Sequence, residues 1–198
     1  MMKKTTLFSL LVPAALLVGC HERSAVNGLT VEMLDCPLGV AAAHPRLSWR
    51  IESALPATVQ TGYRILVSTD PGDLETGENL IWDSGDVPSD RSVLVPYEGP
   101  ELESRRDYYW KVRVATNHGD TLWSEPSRWS MALLDDSDWQ ARWIGYDSCL
   151  NRTDTLGVFS RLAARYLRKE FDAGRDIAQA RLYISGLGLY ECYLNGCR

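Results

Sequence analysis

One strongly alternating stretch, residues 107–129, restricts the fold more than any other part of the sequence. From Tyr108 to Val114, every second residue is aromatic or valine, and the residues between them are mixed in polarity. A period of two predicts a β-strand with one face on a core. The turn residues Asn117–Asp120 follow, with Gly119 suited to a positive φ, before another apolar run. The stretch is therefore predicted to be a β-hairpin.

The alternation also predicts which side chains lie on each face of the first strand. The residues predicted to face the core are Tyr108, Trp110, Val112 and Val114. The residues predicted to face water are Tyr109, Lys111, Arg113 and Ala115. An antiparallel sheet with one buried and one wet face gives this pattern.

The sequence from Leu29 to Leu134 is predicted to contain short strands throughout. Alternating apolar residues between turn clusters indicate strands at Leu29–Met33, Arg46–Ile51, Tyr63–Val67, Ile81–Asp83 and Val93–Val95. With the hairpin this makes about seven strands, which is typical of a β-sandwich. Asp70–Asp73 is interpreted as the turn that ends the third of these strands. Apart from the N-terminus, no segment has a sustained helical period, so the predicted fold class is all-β.

The N-terminus has the features of a targeting segment. Lys3 and Lys4 precede the apolar run Leu7–Val18, which is shorter than the roughly 20 residues of a membrane span. The following Cys20 completes LVGC, which resembles the bacterial lipobox. The resemblance implies cleavage before Cys20 and acylation of this residue, which would anchor the protein to a membrane. A plain secretory signal is the alternative.

We therefore predict a lipoprotein signal peptide at 1–19 and a polar tether at 20–28. The expected location is the bacterial cell envelope, with the protein exported and lipid-anchored in the periplasm or on the cell surface. The net charge is −5 and no basic run follows the signal, which argues against a nucleic-acid partner.

Cysteine and histidine spacing gives no indication of a metal site or a cofactor. The four cysteines other than Cys20 are Cys36, Cys149, Cys192 and Cys197. Export permits disulfides, but the irregular spacing shows no framework, and we expect buried free thiols. The sequence has no C-x-x-C, and no histidine lies near these four cysteines, so a zinc site is not predicted.

Residues 135–198 are predicted to begin a second β-domain. Apolar runs indicate strands at Leu167–Phe171, Ala180–Ile184 and Leu189–Leu194. Asn195-Gly196 is a strong signal for a type I′ hairpin turn. A return strand would begin at Cys197, and strands usually run about five or six residues. We therefore expect this domain to be incomplete.

The hairpin and the residues before it resemble the last strands of a fibronectin type III sandwich. Leu102 lies six residues before Tyr108, and alternating valines, a Gly turn and Trp123-Ser124 follow. The resemblance implies that the Tyr108 ring packs inside and that its hydroxyl bonds to backbone upstream, as in the tyrosine corner.

A larger resemblance covers nearly all of the chain after the signal. Three groups of segments occur in the order found in the N-terminal region of bacterial α-L-rhamnosidases, glycoside hydrolase family 78. They are PRLSWRIES with QTGYRILVST; LIWDSGDVPSDRSVLVPYEGPELESRRDYYWKVRVATNHGDTLWSEPSRWSMALL; and SDWQARWIG with YLRKEF and ARLYISGLGLYECYLNG. The resemblance implies a fibronectin type III-like sandwich at 29–134 and a truncated jelly-roll domain, carbohydrate-binding-like, at 135–198.

Enzymes of this family hydrolyse terminal α-L-rhamnose with inversion, using two carboxyl groups of a downstream (α/α)6 barrel. The resemblance thus places both catalytic residues beyond this chain, and none is assigned here. Glu191 and two tyrosines beside it, Tyr190 and Tyr193, are the candidates for carbohydrate contact. The acids at 101–103 and 135–138 are expected to be solvated turn residues.

Two hypotheses follow. In the first, the chain is the accessory N-terminal portion of a lipid-anchored α-L-rhamnosidase that acts on a rhamnose-containing glycan or glycoside. Its partners would be the membrane and the missing C-terminal barrel, and alone it would be inactive. The alternative is a non-catalytic surface lipoprotein whose β-sandwich binds glycan or protein.

Overall fold

The computed structural model describes residues 24–145 and 165–198. Residues 24–141 lie in one compact unit, and residues 142–145 and 165–198 fall in a second. The first unit contains eight strands and one α-helix among its described residues. The elements are β1 (Ala25–Val31), β2 (Arg46–Glu52), β3 (Gln60–Ser68), α1 (Pro71–Thr76), β4 (Trp82–Asp83), β5 (Val95–Pro96), β6 (Asp107–Thr116), β7 (Thr121–Trp123) and β8 (Ser127–Ser130).

The strands form two antiparallel sheets, as expected for an all-β domain. The smaller sheet has the order β1-β2-β5, and the larger has the order β4-β3-β6-β7. Strand β8 pairs with the first half of β6. A single core takes side chains from both sheets, including Leu47 and Trp49 on β2 and Ile65 on β3.

One buried hydrogen bond joins the two sheets. The indole N–H of Trp49 on β2 donates to the side-chain oxygen of Gln60 on β3 at 2.9 Å. The Gln60 amide nitrogen donates to the carbonyls of Ser89 and Arg91 at 3.0 and 2.8 Å. Because burying an unpaired polar group is costly, these three bonds make a buried glutamine tolerable.

The predicted hairpin is confirmed. Strands β6 and β7 pair with Val114 opposite Leu122, and Gly119 in the connecting turn has φ +85°. All four side chains predicted to face the core from β6 are buried: Tyr108, Trp110, Val112 and Val114.

The prediction for the opposite face of β6 is wrong at one position. Lys111 was expected in water, but only 8% of its surface is exposed. Its ammonium pairs with Glu75 at 3.1 Å and lies 4.9 Å from the ring centroid of Trp123. The chain therefore covers the lysine stem while an acid and a ring satisfy its charge.

The tyrosine corner is also confirmed. The backbone N–H of Glu103 donates to the Tyr108 hydroxyl at 2.9 Å, and Leu102 is buried. The Tyr108 ring stacks on Trp129 with centroids 5.3 Å apart and an interplanar angle of 21°. Burial raises the pKa of Tyr108 above its ordinary value.

The first predicted strand, Leu29–Met33, differs at both ends, because β1 already begins at Ala25, within the segment predicted as a tether at 20–28, and ends before Met33. It was expected to include Met33, but β1 ends at Val31 because Glu32 and Met33 have φ of +51° and +65°. Val31 and Leu34 exchange backbone hydrogen bonds of 2.9 and 3.0 Å across these two residues. Positive φ at both central residues defines a type I′ turn, which turns Met33 outward.

The fifth predicted strand is shorter than expected as well. It was predicted at Val93–Val95, but β5 contains only Val95 and Pro96. Leu94 has φ +53°, which breaks the extended conformation, and Val93 is exposed. Of the predicted strand Val93–Val95, only Val95 therefore pairs in the smaller sheet.

A short helix replaces the turn predicted at Asp70–Asp73. Helix α1 begins with Pro71, and the Asp70 side chain caps it by accepting from Gly72 N–H at 2.8 Å. Gly77 ends it with φ +75°. Leu74 is buried between the helix and the larger sheet, so the tertiary contact stabilises a helix too short to form alone.

Residues 165–198 contain no helix or strand, so the strands predicted at 167–171, 180–184 and 189–194 are absent there. A strand requires a pairing partner and a surface on which its apolar side chains can pack. Leu182 and Ile184, which were expected to pack in this way, are exposed. The predicted type I′ turn is confirmed, since Asn195 and Gly196 have φ of +50° and +83°. The flanking residues exchange backbone bonds of 2.8 and 3.0 Å.

The cysteine prediction is wrong in part. Cys36, Cys192 and Cys197 are free thiols, but Cys36 and Cys197 are exposed and Cys192 is half-buried. Each of the exposed residues lies at a turn, where neighbouring chain does not cover it. Cys149 lies outside the described residues.

Candidate functional site

Of the three residues predicted to contact carbohydrate, Glu191 and Tyr193 bond to each other, and Tyr190 bonds elsewhere. The Tyr193 hydroxyl donates to the Glu191 carboxylate at 2.7 Å, and this bond raises the pKa of Tyr193. Glu191 also pairs with Arg198 at 3.2 Å. Tyr190 instead donates to the Ile184 carbonyl at 3.4 Å. Both tyrosines are exposed, so a role in carbohydrate contact stays a prediction.

Cys20, the predicted lipidation site, lies outside the described residues. Lipidation therefore also stays a prediction. Within the described ranges, no helix has the length and apolar character of a membrane span. No group of three or more potential metal ligands comes together there either.

The acids at the end of the sandwich hold the backbone. Ser104 donates to the Asp138 carboxylate and accepts from the Leu134 N–H at 2.9 Å. The bond from Ser104 is the main cause that lowers the pKa of Asp138. Asp135 donates its own N–H to the same carboxylate at 3.3 Å. These contacts fix the chain after β8 against the loop before β6.

The outer side of the larger sheet carries a denser group of polar residues. We call it the Trp123 face and define it by Arg64, Lys111, Arg113 and Trp123 with their acidic partners. Cross-strand pairing places Arg64 opposite Arg113, and Arg113 opposite Trp123. Like charges directly opposite each other destabilise a sheet unless they are neutralised.

Each cation on the Trp123 face has its own acid. Arg64 makes a two-bond contact to Asp83, which lowers the pKa of that carboxyl. Arg113 donates to Asp86, and Lys111 pairs with Glu75 as described above. Three cations and three acids leave the face balanced in charge.

Trp123 lies over two of these cations. The ring centroid is 4.9 Å from the Lys111 ammonium and 5.6 Å from the Arg113 guanidinium. Both distances are within the range of cation–π attraction. The indole still has 43% of its surface exposed, although large aromatic residues usually pack in the core.

A shallow groove of about 410 Å³ is lined by Arg113, which lies opposite Trp123, and by Thr121, two positions before Trp123 on β7. Three small outward residues, Gly62, Ala115 and Thr121, occupy neighbouring positions on three strands and line it. Asp86 and Arg113 also line the groove, so an ion pair borders it. The groove thus has small residues at its base, with Arg113 as a hydrogen-bond donor and Asp86 as an acceptor at its border.

Sequence reasoning did not single out the Trp123 face. The alternation on β6 had placed Arg113 outward, and the turn at Asn117–Asp120 set which residue of β7 would lie opposite it. Counting across the four residues of that turn would pair position 113 with position 124, whereas the structure pairs Arg113 with Trp123. The sequence register is therefore offset by one residue, and the aromatic residue opposite the outward cation is evident only in the structure.

Comparison with known families identifies the sandwich. The sequence model described as "Rha78A-like, N-terminal immunoglobulin domain" matches residues 26–135, more than half of the chain. The chain belongs to this family. Its immunoglobulin-like domain accordingly contains the two antiparallel sheets described above and the whole Trp123 face.

Two curated relatives are α-L-rhamnosidases. The enzyme from Streptomyces avermitilis is 38% identical over 86% of this chain, and one from Formosa agariphila is 32% identical over 96%. The aligned region spans only 18% and 22% of those two proteins. The chain therefore resembles a small part of each enzyme.

Solved structures show the same relation. The Streptomyces avermitilis α-L-rhamnosidase, determined in complex with L-rhamnose, superimposes with a TM-score of 0.59 and 45% identity over 62% of this chain. An α-L-rhamnosidase from Dictyoglumus thermophilum gives 0.60 and 30% identity over 63%. The match covers 12% and 14% of those chains.

Proposed function

We propose that this chain is the N-terminal accessory portion of an α-L-rhamnosidase that removes terminal α-L-rhamnose from glycans or glycosides with inversion. The observation that supports this proposal is the similarity to the first-named relative, 38% identity across 86% of this chain. Because that similarity occupies 18% of the relative, the hydrolytic machinery would belong to other parts of the enzyme. The portion described here is then expected to be inactive alone.

The chemistry of the described residues supports an accessory role. Inverting hydrolysis requires two carboxyl groups about 6.5–9.5 Å apart across a cleft, one of them protonated. On the Trp123 face, Asp83 and Asp86 are each engaged by an arginine. The arginine bonded to Asp83 lowers the pKa of that carboxyl, which makes it a poor proton donor.

At finer detail, we assign residues 29–134 to a fibronectin type III-like sandwich. The tyrosine corner formed by Tyr108 and the Glu103 N–H supports this assignment. We assign residues 135–198 to the start of a jelly-roll domain in which Glu191, Tyr190 and Tyr193 would contact carbohydrate. Solving the structure of the longer polypeptide would test both assignments, and a helical second domain would refute the latter.

The decisive activity experiment compares two proteins on an aryl α-L-rhamnoside. One is the 198-residue chain, and the other is the product of the coding sequence read beyond Arg198. We expect release of rhamnose from the longer product alone. Activity of the 198-residue chain would refute the accessory role, and a stop codon directly after Arg198 would refute the larger enzyme.

We further propose that the enzyme is lipid-anchored through Cys20 to the cell envelope. Its support is the lipobox-like LVGC after a short apolar run. Growth with radiolabelled palmitate should label the wild-type chain and a Cys36→Ser control, which lacks an exposed thiol elsewhere. Cys20→Ser should lose the label and leave the membrane fraction. Equal labelling of Cys20→Ser would refute the anchor.

A further inference from the structure

We propose that the Trp123 face binds a neutral sugar. A pyranose ring would stack on the exposed indole of Trp123, while its hydroxyls would bond to Arg113, Asp86 and Thr121 in the adjoining groove. This binding would belong to the immunoglobulin-like domain itself and would be separate from the hydrolysis proposed above.

The position of Trp123 supports a surface role. Its neighbour in sequence, Leu122, packs against the core cluster, whereas Trp123 points to the opposite side of the sheet. Contacts to Lys111 and Arg113 hold the indole in place and still leave 43% of it exposed. A ring that is already fixed loses little conformational entropy when a ligand stacks on it.

The groove has the size for a sugar ring, and two of its lining residues, Arg113 and Thr121, are neighbours of Trp123 in the sheet. Its volume of about 410 Å³ falls within the roughly 300–1,000 Å³ of small-molecule sites. Thr121 and Trp123 are two positions apart on β7, so they face the same way. A ligand seated against Thr121 would therefore lie next to the ring.

Gly62 helps to form one wall of this groove. A Cβ at that position would come within 3.1 Å of the Val87 carbonyl oxygen. The absence of a side chain lets the 86–88 segment approach β3, where Tyr63 and Val87 exchange backbone bonds of 2.9 and 2.8 Å. This approach brings Asp86 to the groove beside Arg113.

The charge balance indicates a neutral ligand. Lys111, Arg113 and Arg64 are each neutralised by their own acid. An anionic ligand would have to compete with these acids, and a cationic one with the bases. The Arg113–Asp86 pair instead offers a donor next to an acceptor, and neighbouring hydroxyls of a sugar accept from one and donate to the other.

The test is a titration of the purified 198-residue chain with methyl α-L-rhamnoside and methyl α-D-glucoside, followed by two-dimensional NMR. We expect saturable binding of at least one of these neutral glycosides, with the largest shifts at the Trp123 indole N–H. Trp123→Ala should weaken the affinity about tenfold or more. Trp143→Ala, which removes an exposed tryptophan elsewhere, should leave it unchanged.

Ala115→Gln gives a second, independent variant. It fills the floor of the groove with a longer neutral side chain while Trp123 remains, and we expect a loss of similar size. Circular dichroism of each variant would check that the fold is retained, and Trp123→Tyr should restore part of the binding because it keeps an aromatic ring.

Three results would overturn the proposal. One is the absence of saturable binding by either neutral glycoside up to its solubility limit. Another is unchanged affinity in the folded Trp123→Ala and Ala115→Gln chains. The third is tighter binding of galacturonate than of both neutral glycosides. None of these results bears on rhamnose release by the longer protein, so the two proposals fail separately.

Discussion

Replacing Tyr108 by Phe should destabilise the sandwich through the loss of one hydroxyl group. The Tyr108 oxygen accepts the Glu103 N–H at 2.9 Å, and the side chain is 2% exposed. The Phe ring would keep the stacking on Trp129, so no cavity forms. The cost is one hydrogen bond, about 0.5–1.5 kcal/mol, plus part of the penalty for an unpaired N–H. We therefore expect the free energy of unfolding to fall by about 1–2 kcal/mol.

The assay is guanidinium chloride unfolding followed by far-UV circular dichroism. The midpoint should fall while the slope of free energy against denaturant stays the same, because the surface exposed on unfolding does not change. Tyr109→Phe is the matched control, since it removes the same group from the next residue of β6 on the outward face. Its effect should be within about 0.5 kcal/mol.

Equal midpoints for Tyr108→Phe and Tyr109→Phe would contradict the reasoning. That result would mean that the Glu103 N–H finds water as readily as it finds the tyrosine oxygen. The corner would then be a geometric feature of the loop without a stabilising role. A changed slope would instead indicate that the substitution alters the compactness of the native or unfolded chain.

Three further perturbations test other contacts. Gln60→Met should lower the free energy of unfolding by about 1–3 kcal/mol, because the buried Trp49 N–H loses its acceptor, whereas the exposed Gln140→Met should have little effect in the same denaturation assay. Burial raises the pKa of Tyr97 from 10.0 to about 12, so the contribution of its protonated hydroxyl to the free energy of unfolding is fully present below pH 10 and is lost as the pH rises to 12. Tyr97→Phe should therefore reduce the loss of stability measured between pH 10 and pH 12. An unchanged stability profile would refute this. Leu74→Ala should cost about 2–5 kcal/mol by leaving a cavity under α1, and a smaller loss in thermal unfolding would indicate that the helix collapses onto the sheet.

The sequence predicted the sandwich best where side-chain period and turn chemistry agreed. On β6 the alternation predicted the four core residues correctly, because one face of the strand meets the core, but it did not predict the burial of Lys111. At Glu32 and Met33 the same alternation was misleading, since an apolar Met33 continued the pattern through a turn. Helix α1 was missed because six residues are too few to show a helical period, although Asp70 and Gly77 are typical capping residues.

The candidate site was harder to predict, because it depends on neighbours across three strands. The outward position of Arg113 followed from alternation, but its acid, Asp86, comes from a loop whose path only the tertiary structure fixes. Conversely, Glu191 stood out in sequence because tyrosines flank it. In the structure, Tyr190 bonds elsewhere, so sequence adjacency did not produce one cluster.

The pairing of every cation on the Trp123 face with an acid also determines how that face responds to ionic strength. At physiological concentration, dissolved salt largely screens the attraction between opposite charges that are more than about 8–10 Å apart. A surface whose charges are satisfied internally, by Asp83, Asp86 and Glu75, has little such attraction to lose. The affinity of a ligand bound there by stacking and hydrogen bonding should therefore change little between low and high ionic strength.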